Sequence, residues 1–251
     1  MKRFPFTTLA TLLIVVPFGS IRAADQDAKA ILEKAAAALG GKDKLAKVDA
    51  MTWKAKGKIS FNGNSNEFKS ESTVKGLTHF HSQFHGNIDG NAIEVSTVLN
   101  GDKGWRKFND NVNEMEPDGI ANEKRTIYLA VLPVTIVPLL GADYKLEVAK
   151  EEKIGDKTAV GVKATGKDGK DFTIHFDKES GLPVKLTAVV VGFGGEEYTQ
   201  ETTFSDYKDF DGVKKAVKVE VKRDGTTFIE QEISDFKVLD QVDDSKFNEP
   251  K

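Results

Sequence analysis

The sequence predicts a mainly β (α+β) fold: a curved antiparallel sheet, one helix ahead of it and one apolar helix across its middle. Three observations carry this. About twelve segments alternate apolar and polar residues with the period of two that a half-buried strand requires. The gaps between them are hairpin-length turns such as Asn62-Gly63 and Asp89-Gly90, which make neighbouring strands antiparallel. Between two runs of such strands lies Thr126–Ala142, TIYLAVLPVTIVPLLGA, uncharged in a chain where 30% of residues are charged.

Residues 1–23 read as a secretory signal peptide. Lys2 and Arg3 precede an apolar core from Leu9 to Phe18, and Ile21-Arg22-Ala23 ends in the small residue a signal peptidase needs. Cleavage after Ala23 leaves a single domain, 24–251, with 33 basic against 39 acidic residues and a net charge of −6. Dispersed, mildly acidic charge is a poor match for nucleic acid or an anionic membrane surface. There is no cysteine. That excludes disulfides, thiol catalysis, Cys-based metal sites and a lipid anchor on a cysteine after the cleavage point. The expectation is a soluble, periplasmic monomer whose stability rests on its core.

The mature chain opens with a helix, Asp27 to Leu39. Ala30, Ile31, Lys34, Ala35, Ala38 and Leu39 fall near one face, and Gly40-Gly41 stops it. Lys42 to Val48 adds one more turn. In the first strand Trp53, Ala55, Ile59 and Phe61 oppose Lys54, Lys56, Lys58 and Ser60. Asn62-Gly63-Asn64 turns the chain into Glu67–Lys75, and Thr78–His85, Ala92–Leu99, Gly104–Phe108 and Val112–Met115 follow. Pro117-Asp118-Gly119 reads as a closing turn. Asn122 is then the N-cap of the apolar helix, with Arg125 where a capping box would place Glu. Pro133 and Pro138 make that helix a kinked plug, too short and interrupted for a membrane span of roughly 20 apolar residues.

Strands resume at Lys145–Glu152 and Thr158–Thr165. Phe172, Ile174 and Phe176 face one way and Thr173 and His175 the other. Val184–Val191, Tyr198–Tyr207, Val217–Lys222 and Thr227–Val238 complete the set, and Asp240–Lys251 reads as irregular. So many strands curl rather than stay flat. The alternatives at this point are a sandwich and an incompletely closed barrel.

Three of the four histidines, His79, His81 and His85, share one face of a strand. His79 and His81 lie about 6–7 Å apart, close enough to share a metal, whereas His85 is about 13 Å from His81. With Phe80 and Phe84 on the apolar face, the histidines are expected to point to solvent. There is no HExxH and no GxSxG, and Gly192-Phe-Gly-Gly195 lacks the spacing of a dinucleotide loop. Asp206, Asp209 and Asp211 fit no calcium-loop signature. No catalytic residue, metal or cofactor is assigned. What remains is an apolar interior under a cover, which suits a hydrocarbon chain at about 0.8 kcal/mol per buried CH₂. Trp53, Ile59, Phe61, Phe80, Trp105, Ile127, Leu129, Leu132, Ile136, Phe172, Ile174, Leu186, Val190 and Phe228 are the candidate cavity lining.

Several phrases resemble the bacterial outer-membrane lipoprotein-sorting family, the LolA/LolB-like proteins. They are Ala38-Leu-Gly-Gly-Lys-Asp-Lys-Leu45, Asn100-Gly-Asp-Lys-Gly-Trp105, Phe176-Asp-Lys-Glu-Ser-Gly-Leu-Pro183, Ser205-Asp-Tyr-Lys-Asp-Phe-Asp-Gly-Val213 and Asp244-Ser-Lys-Phe-Asn-Glu-Pro250. The resemblance implies an unclosed β-barrel with a helical lid over a hydrophobic cavity. It also implies carriage of the acyl chains of a lipoprotein or lipid across the periplasm, with a membrane-bound donor or acceptor protein as partner. Two other readings stand beside this non-enzymatic carrier: a sensor or scaffold module without lipid, and a metal-dependent hydrolase using His79 and His81.

Overall fold

A computed structural model describes residues 19–61, 63–166, 168–192 and 194–251, with side chains described from residue 27 and not at Phe61. The signal-peptide expectation therefore falls almost wholly outside the described residues.

Thirteen strands form one antiparallel sheet. In chain order they are β1 (Ala50–Phe61), β2 (Asn64–Lys75), β3 (His79–Ile88), β4 (Asn91–Asn100), β5 (Lys103–Phe108), β6 (Asn111–Glu114), β7 (Lys145–Ile154), β8 (Lys157–Thr165), β9 (Asp171–Asp177), β10 (Pro183–Val191), β11 (Glu197–Phe210), β12 (Val213–Arg223) and β13 (Thr226–Leu239). Each run is a meander of neighbouring hairpins. The runs are joined where β1 pairs with β13, giving the order β6-β5-β4-β3-β2-β1-β13-β12-β11-β10-β9-β8-β7. A sandwich is ruled out, because the sheet is continuous. It is curved and does not close, and β6 and β7 are its two free edges. Three of its hairpins turn on Asp-Gly pairs, Asp89-Gly90, Asp211-Gly212 and Asp224-Gly225, with both residues at positive φ. That is the turn whose twist matches a hairpin, and Asp and Gly tolerate it best.

The edges are not open templates for further pairing. β6 has four residues. β7 carries several Lys and Glu residues and bulges between Ala149 and Glu152. Short, charged and bulged edges resist edge-to-edge association.

Helix α1 (Gly19–Leu39) buries Ala28, Leu32, Ala35, Ala36 and Leu39 against the concave face, chiefly at β7. It begins eight residues before the Asp27 start read from the sequence. Its end is fixed by close approach: a Cβ on Gly40 would lie 2.2 Å from the Gly212 carbonyl oxygen, so only glycine fits. The four-residue helix α2 (Lys42–Leu45) follows, and Lys44 Nζ donates to the Asp211 carbonyl at 2.8 Å.

Helix α3 spans Pro117–Thr135 and starts well before the N-cap expected at Asn122. Pro117-Asp118-Gly119, read as a turn, is its first turn. Proline is favoured there because the missing N–H would have no intrahelical partner. Polar residues dominate the first half, but Val131 to Thr135 are buried on every side. The helix ends at Ile136, held at φ 55°, ψ −42° with its N–H on the Leu132 carbonyl. A 3₁₀ turn, Val137–Leu140, completes the crossing. The single kinked helix expected over Thr126–Ala142 is thus a helix and a turn separated by a strained residue.

The C-terminal residues are more ordered than expected. Asp243 accepts from the Ser245 N–H, and a 3₁₀ turn over Asp244–Phe247 packs on the outer faces of β3 and β4. Phe247 is 0% exposed, Lys75 meets Asp244 at 2.7 Å, and Lys107 Nζ donates to the Lys251 carbonyl at 2.6 Å.

Two predictions follow from this packing. Phe247→Ala should cost about 3–5 kcal/mol in urea unfolding, the range for removing a buried phenylalanine, and a loss under about 1 kcal/mol would mean the tail is not part of the cooperative unit. The second concerns Lys215 on β12, which is 8% exposed. Burial lowers its pKa from 10.5 to about 8. The unfolded chain therefore holds this proton more tightly, and stability should rise between pH 8 and 10.5, by on the order of 2–3 kcal/mol. Lys215→Met should flatten that rise.

Candidate functional site

The register separates the two faces of the sheet. Met51, Trp53, Ala55 and Ile59 of β1 share the concave face with Val74 and Phe68 of β2 and with Phe80 and Phe84 of β3. On the other arm this face carries Val162, Ile174, Leu186 and Val221, aligned in one cross-strand row that continues through Ile229 to Ile59. Helix α3 touches both β4 and β10. These lie far apart in the strand order, so the sheet curls round the helix.

The predicted lining divides in five. Ile127, Leu129 and Leu132 of α3, Ile136 just after it, and Phe172, Ile174, Leu186 and Val190 of the sheet are buried in one cluster. Trp53, Phe80 and Phe228 are half-buried and pack against them. Ile59 is half-buried on the same face but lies beyond that cluster. Trp105 pairs with Val98, which pairs with His81, so its ring lies on the outer face. In β5 apolar residues fall on both faces, and alternation alone could not place it. The Phe61 side chain lies outside the described residues.

Under α3 the buried side chains form one continuous cluster. The two grooves that stand out among the described residues, of about 1000 and about 500 Å³, lie on the outer face. Apolar surface without a helix over it does occur on the first arm. Ile59, Phe84, Ile88, Ile93 and Val95 are half-buried on the concave face, and Phe108 is 46% exposed. They form a strip along β1 and β3–β5, with Phe84 opposite Val95 and Val95 opposite Phe108. Of these only Ile59 belongs to the candidate lining, although the alternation of Phe84, Ile93 and Val95 is visible in the sequence.

Helix α3 is held to both arms by polar contacts. On the first arm Arg106 meets Glu123 at 3.0 Å and Lys124 meets Asp102 at 2.6 Å. Burial pushes the Glu123 carboxyl up, opposed by the Arg106 guanidinium. On the second arm Asn122 donates to the Val191 carbonyl at 3.2 Å. Arg125, 5% exposed, donates to the Val189 carbonyl (3.1 Å), the Asp171 carbonyl (2.8 Å) and the Asp168 carboxylate (2.7 Å). A guanidinium suits such a site because its planar fork can satisfy several acceptors at once. The sequence hid this residue, because the uncharged run begins just after it.

The histidines are not uniformly in solvent. His85 is exposed, 3.3 Å from Glu94. His79 is half-buried against the Phe247 ring, at 5.5 Å between centroids. His81 is half-buried, and burial lowers its pKa. The tail covering them explains the departure from the expectation. Among the described residues no three His, Cys, Asp or Glu side chains group closely enough to hold a metal ion. No helix among them is long and apolar enough to cross a membrane.

No family model and no curated protein matches the sequence. Solved structures do match, at the level of fold. A LolA-superfamily protein from Nitrosomonas europaea aligns with a TM-score of 0.55 and 12% identity, over 88% of this chain and 97% of that one. An outer-membrane lipoprotein-sorting protein domain from Vibrio parahaemolyticus gives 0.53 and 12%, over 89% and 97%. A DUF1329 family protein from Desulfovibrio piger gives 0.54 and 15%, over 88% and 97%. The fold is therefore that of the LolA-like proteins, as the sequence resemblance implied.

Arg125→Gln should cost about 3 kcal/mol in urea unfolding, because Asp168 and two carbonyls lose a charged donor. Amide exchange in α3 should quicken while the centre of the sheet stays protected. A change below about 1 kcal/mol would remove Arg125 from its anchoring role.

Proposed function

We propose that this protein is a non-enzymatic, extracytoplasmic carrier that holds the acyl chains of a lipoprotein or lipid against its concave face. The observation that carries the reading is the uncovered apolar strip Ile59, Phe84, Ile88, Ile93, Val95 and Phe108. It runs beside a helix whose apolar end is buried and whose polar end is tied to both arms of the sheet. Water contact at such a strip costs about 25 cal/mol per Å², which an aliphatic chain relieves. Shared fold with LolA-like proteins supports the reading, and the signal-like residues 1–23 agree with it. A carrier of this kind exchanges cargo with a membrane-bound donor or acceptor, and we assign the protein that class of partner.

A second reading, a sensor or scaffold without lipid, is favoured by one observation: the side chains beneath α3 form one continuous buried cluster. Leu132 is 0% exposed, so Leu132→Asp would unfold the chain under either reading and does not separate them. A charge placed on the strip does. Phe108 is 46% exposed, so Phe108→Asp puts a carboxylate there without opening the core.

Native protein purified without detergent should yield acyl lipid in an organic extract read by mass spectrometry. The wild type should bind a fluorescent fatty acid, and Phe108→Asp should bind it at least about tenfold more weakly. Absence of both copurified lipid and probe binding would overturn the carrier in favour of the sensor or scaffold.

A further inference from the structure

The arginines beyond α1 differ in one respect. Arg106 has Glu123 and Arg125 has Asp168. Arg223, at the end of β12, has no carboxylate within ion-pair distance among the described residues. Yet it is half-buried on the concave face. Its partner in the sheet is Gln200, whose row runs through Ala188, Phe172 and Ala164 to Leu146, all buried beneath the helices.

The site around it is built. The guanidinium carbon lies 3.7 Å from the centroid of the Phe228 ring and 5.3 Å from that of Tyr198. Arg223 Nε donates to Gln200 Oε1 at 3.3 Å. Phe228 is the extra residue of a bulge between Val221–Ile229 and Lys222–Thr227, which frees its ring to reach the arginine. Two aromatic faces hold the cation without neutralising it. A half-buried guanidinium is always charged, and its remaining N–H donors are suited to a bidentate anion.

Its position completes the argument. Arg223 lies two residues beyond Val221 on the same face, and Val221 pairs with Ile229, which pairs with Ile59. Ile59 belongs to the uncovered apolar strip. The arginine thus stands at one end of a hydrocarbon-compatible track, near the turns joining β1 to β2 and β12 to β13. A cation at the end of an apolar track is the complement of an amphiphile with an acidic head.

We propose that Arg223, held between Tyr198 and Phe228, receives the carboxylate or phosphate head group of an acylated cargo whose chain lies along the strip from Ile229 and Ile59. The assignment rests on the carrier reading and narrows it to anionic amphiphiles.

Isothermal titration of the mature, delipidated chain tests it with four probes: laurate, dodecyl phosphate, monolauroylglycerol and inorganic phosphate. Laurate or dodecyl phosphate should bind about tenfold more tightly than the neutral glyceride, from charge-assisted hydrogen bonds. The tighter of the two identifies a fatty-acid or a phosphate-headed cargo, and either supports the assignment. Arg223→Gln should reduce the anionic probes to the affinity of the glyceride and leave glyceride binding unchanged. Arg223→Lys should keep part of the preference. Equal binding of all three acyl probes to the wild type overturns the assignment and leaves the carrier standing, and this comparison needs no variant to fold. An undiminished preference in Arg223→Gln overturns it as well, as does inorganic phosphate binding as tightly as dodecyl phosphate. If no acyl probe binds, the carrier reading falls and the head-group site with it.

Discussion

The pairing of β1 with β13 governs the molecule. It sets the two meanders side by side at the centre and pushes β6 and β7, adjacent in the chain, to opposite edges. Whatever connects them must cross the whole concave face. A polar loop would leave backbone groups unpaired over an apolar surface, so the crossing segment is a helix that satisfies its own hydrogen bonds. The lack of charge from Val131 to Ile136 follows from that route, because this part of the crossing has no face left toward water.

The same route explains why the helix is polar at one end and apolar at the other. Near its start it lies between the two arms, where Glu123, Lys124 and Arg125 find partners on β5, the β4–β5 turn and the β8–β9 hairpin. Farther along it enters the interior with Val131, Leu132 and Val134. Its last hydrogen bond runs from Ile136 to Leu132. A β-branched residue at positive φ costs energy there, on the order of 1–3 kcal/mol, that burial of its side chain offsets. The helix is therefore bound by two unlike means: hydrophobic contact deep inside, and charged contacts at the rim.

Much of this was legible in the residues. Alternation in Trp53–Phe61 and Val217–Lys222 places the strands, pairs such as Asn62-Gly63 and Asp89-Gly90 place turns, and the uncharged run marks the segment that must be covered. What could not be read was which strands far apart in sequence meet. Without the β1–β13 register, the row from Val162 through Leu186 and Val221 to Ile59 is invisible. So is the juxtaposition of Arg223 with Phe228, which depends on a bulge. The faces of β5 stayed ambiguous because Trp105 and Phe108 alternate out of phase. The start of α3 was misplaced because Pro117-Asp118-Gly119 has the composition of a turn, and a proline at the first helical position has the same appearance. His79 and His81 looked solvated because their cover, Phe247, comes from the far end of the chain.

The central seam also dictates a temporal order. Each meander contains only contacts between neighbours in sequence, and such contacts close quickly. Ile59 and Ile229, by contrast, belong to the first and the last strand, so their junction waits until almost the entire polypeptide is present. Until then the inner borders of both half-sheets expose unpaired amides along their full length, the condition that invites strand exchange between molecules. Assembly is thus most vulnerable at the middle of the finished sheet, while its outer borders, short or studded with lysine and glutamate, are guarded from the moment they form.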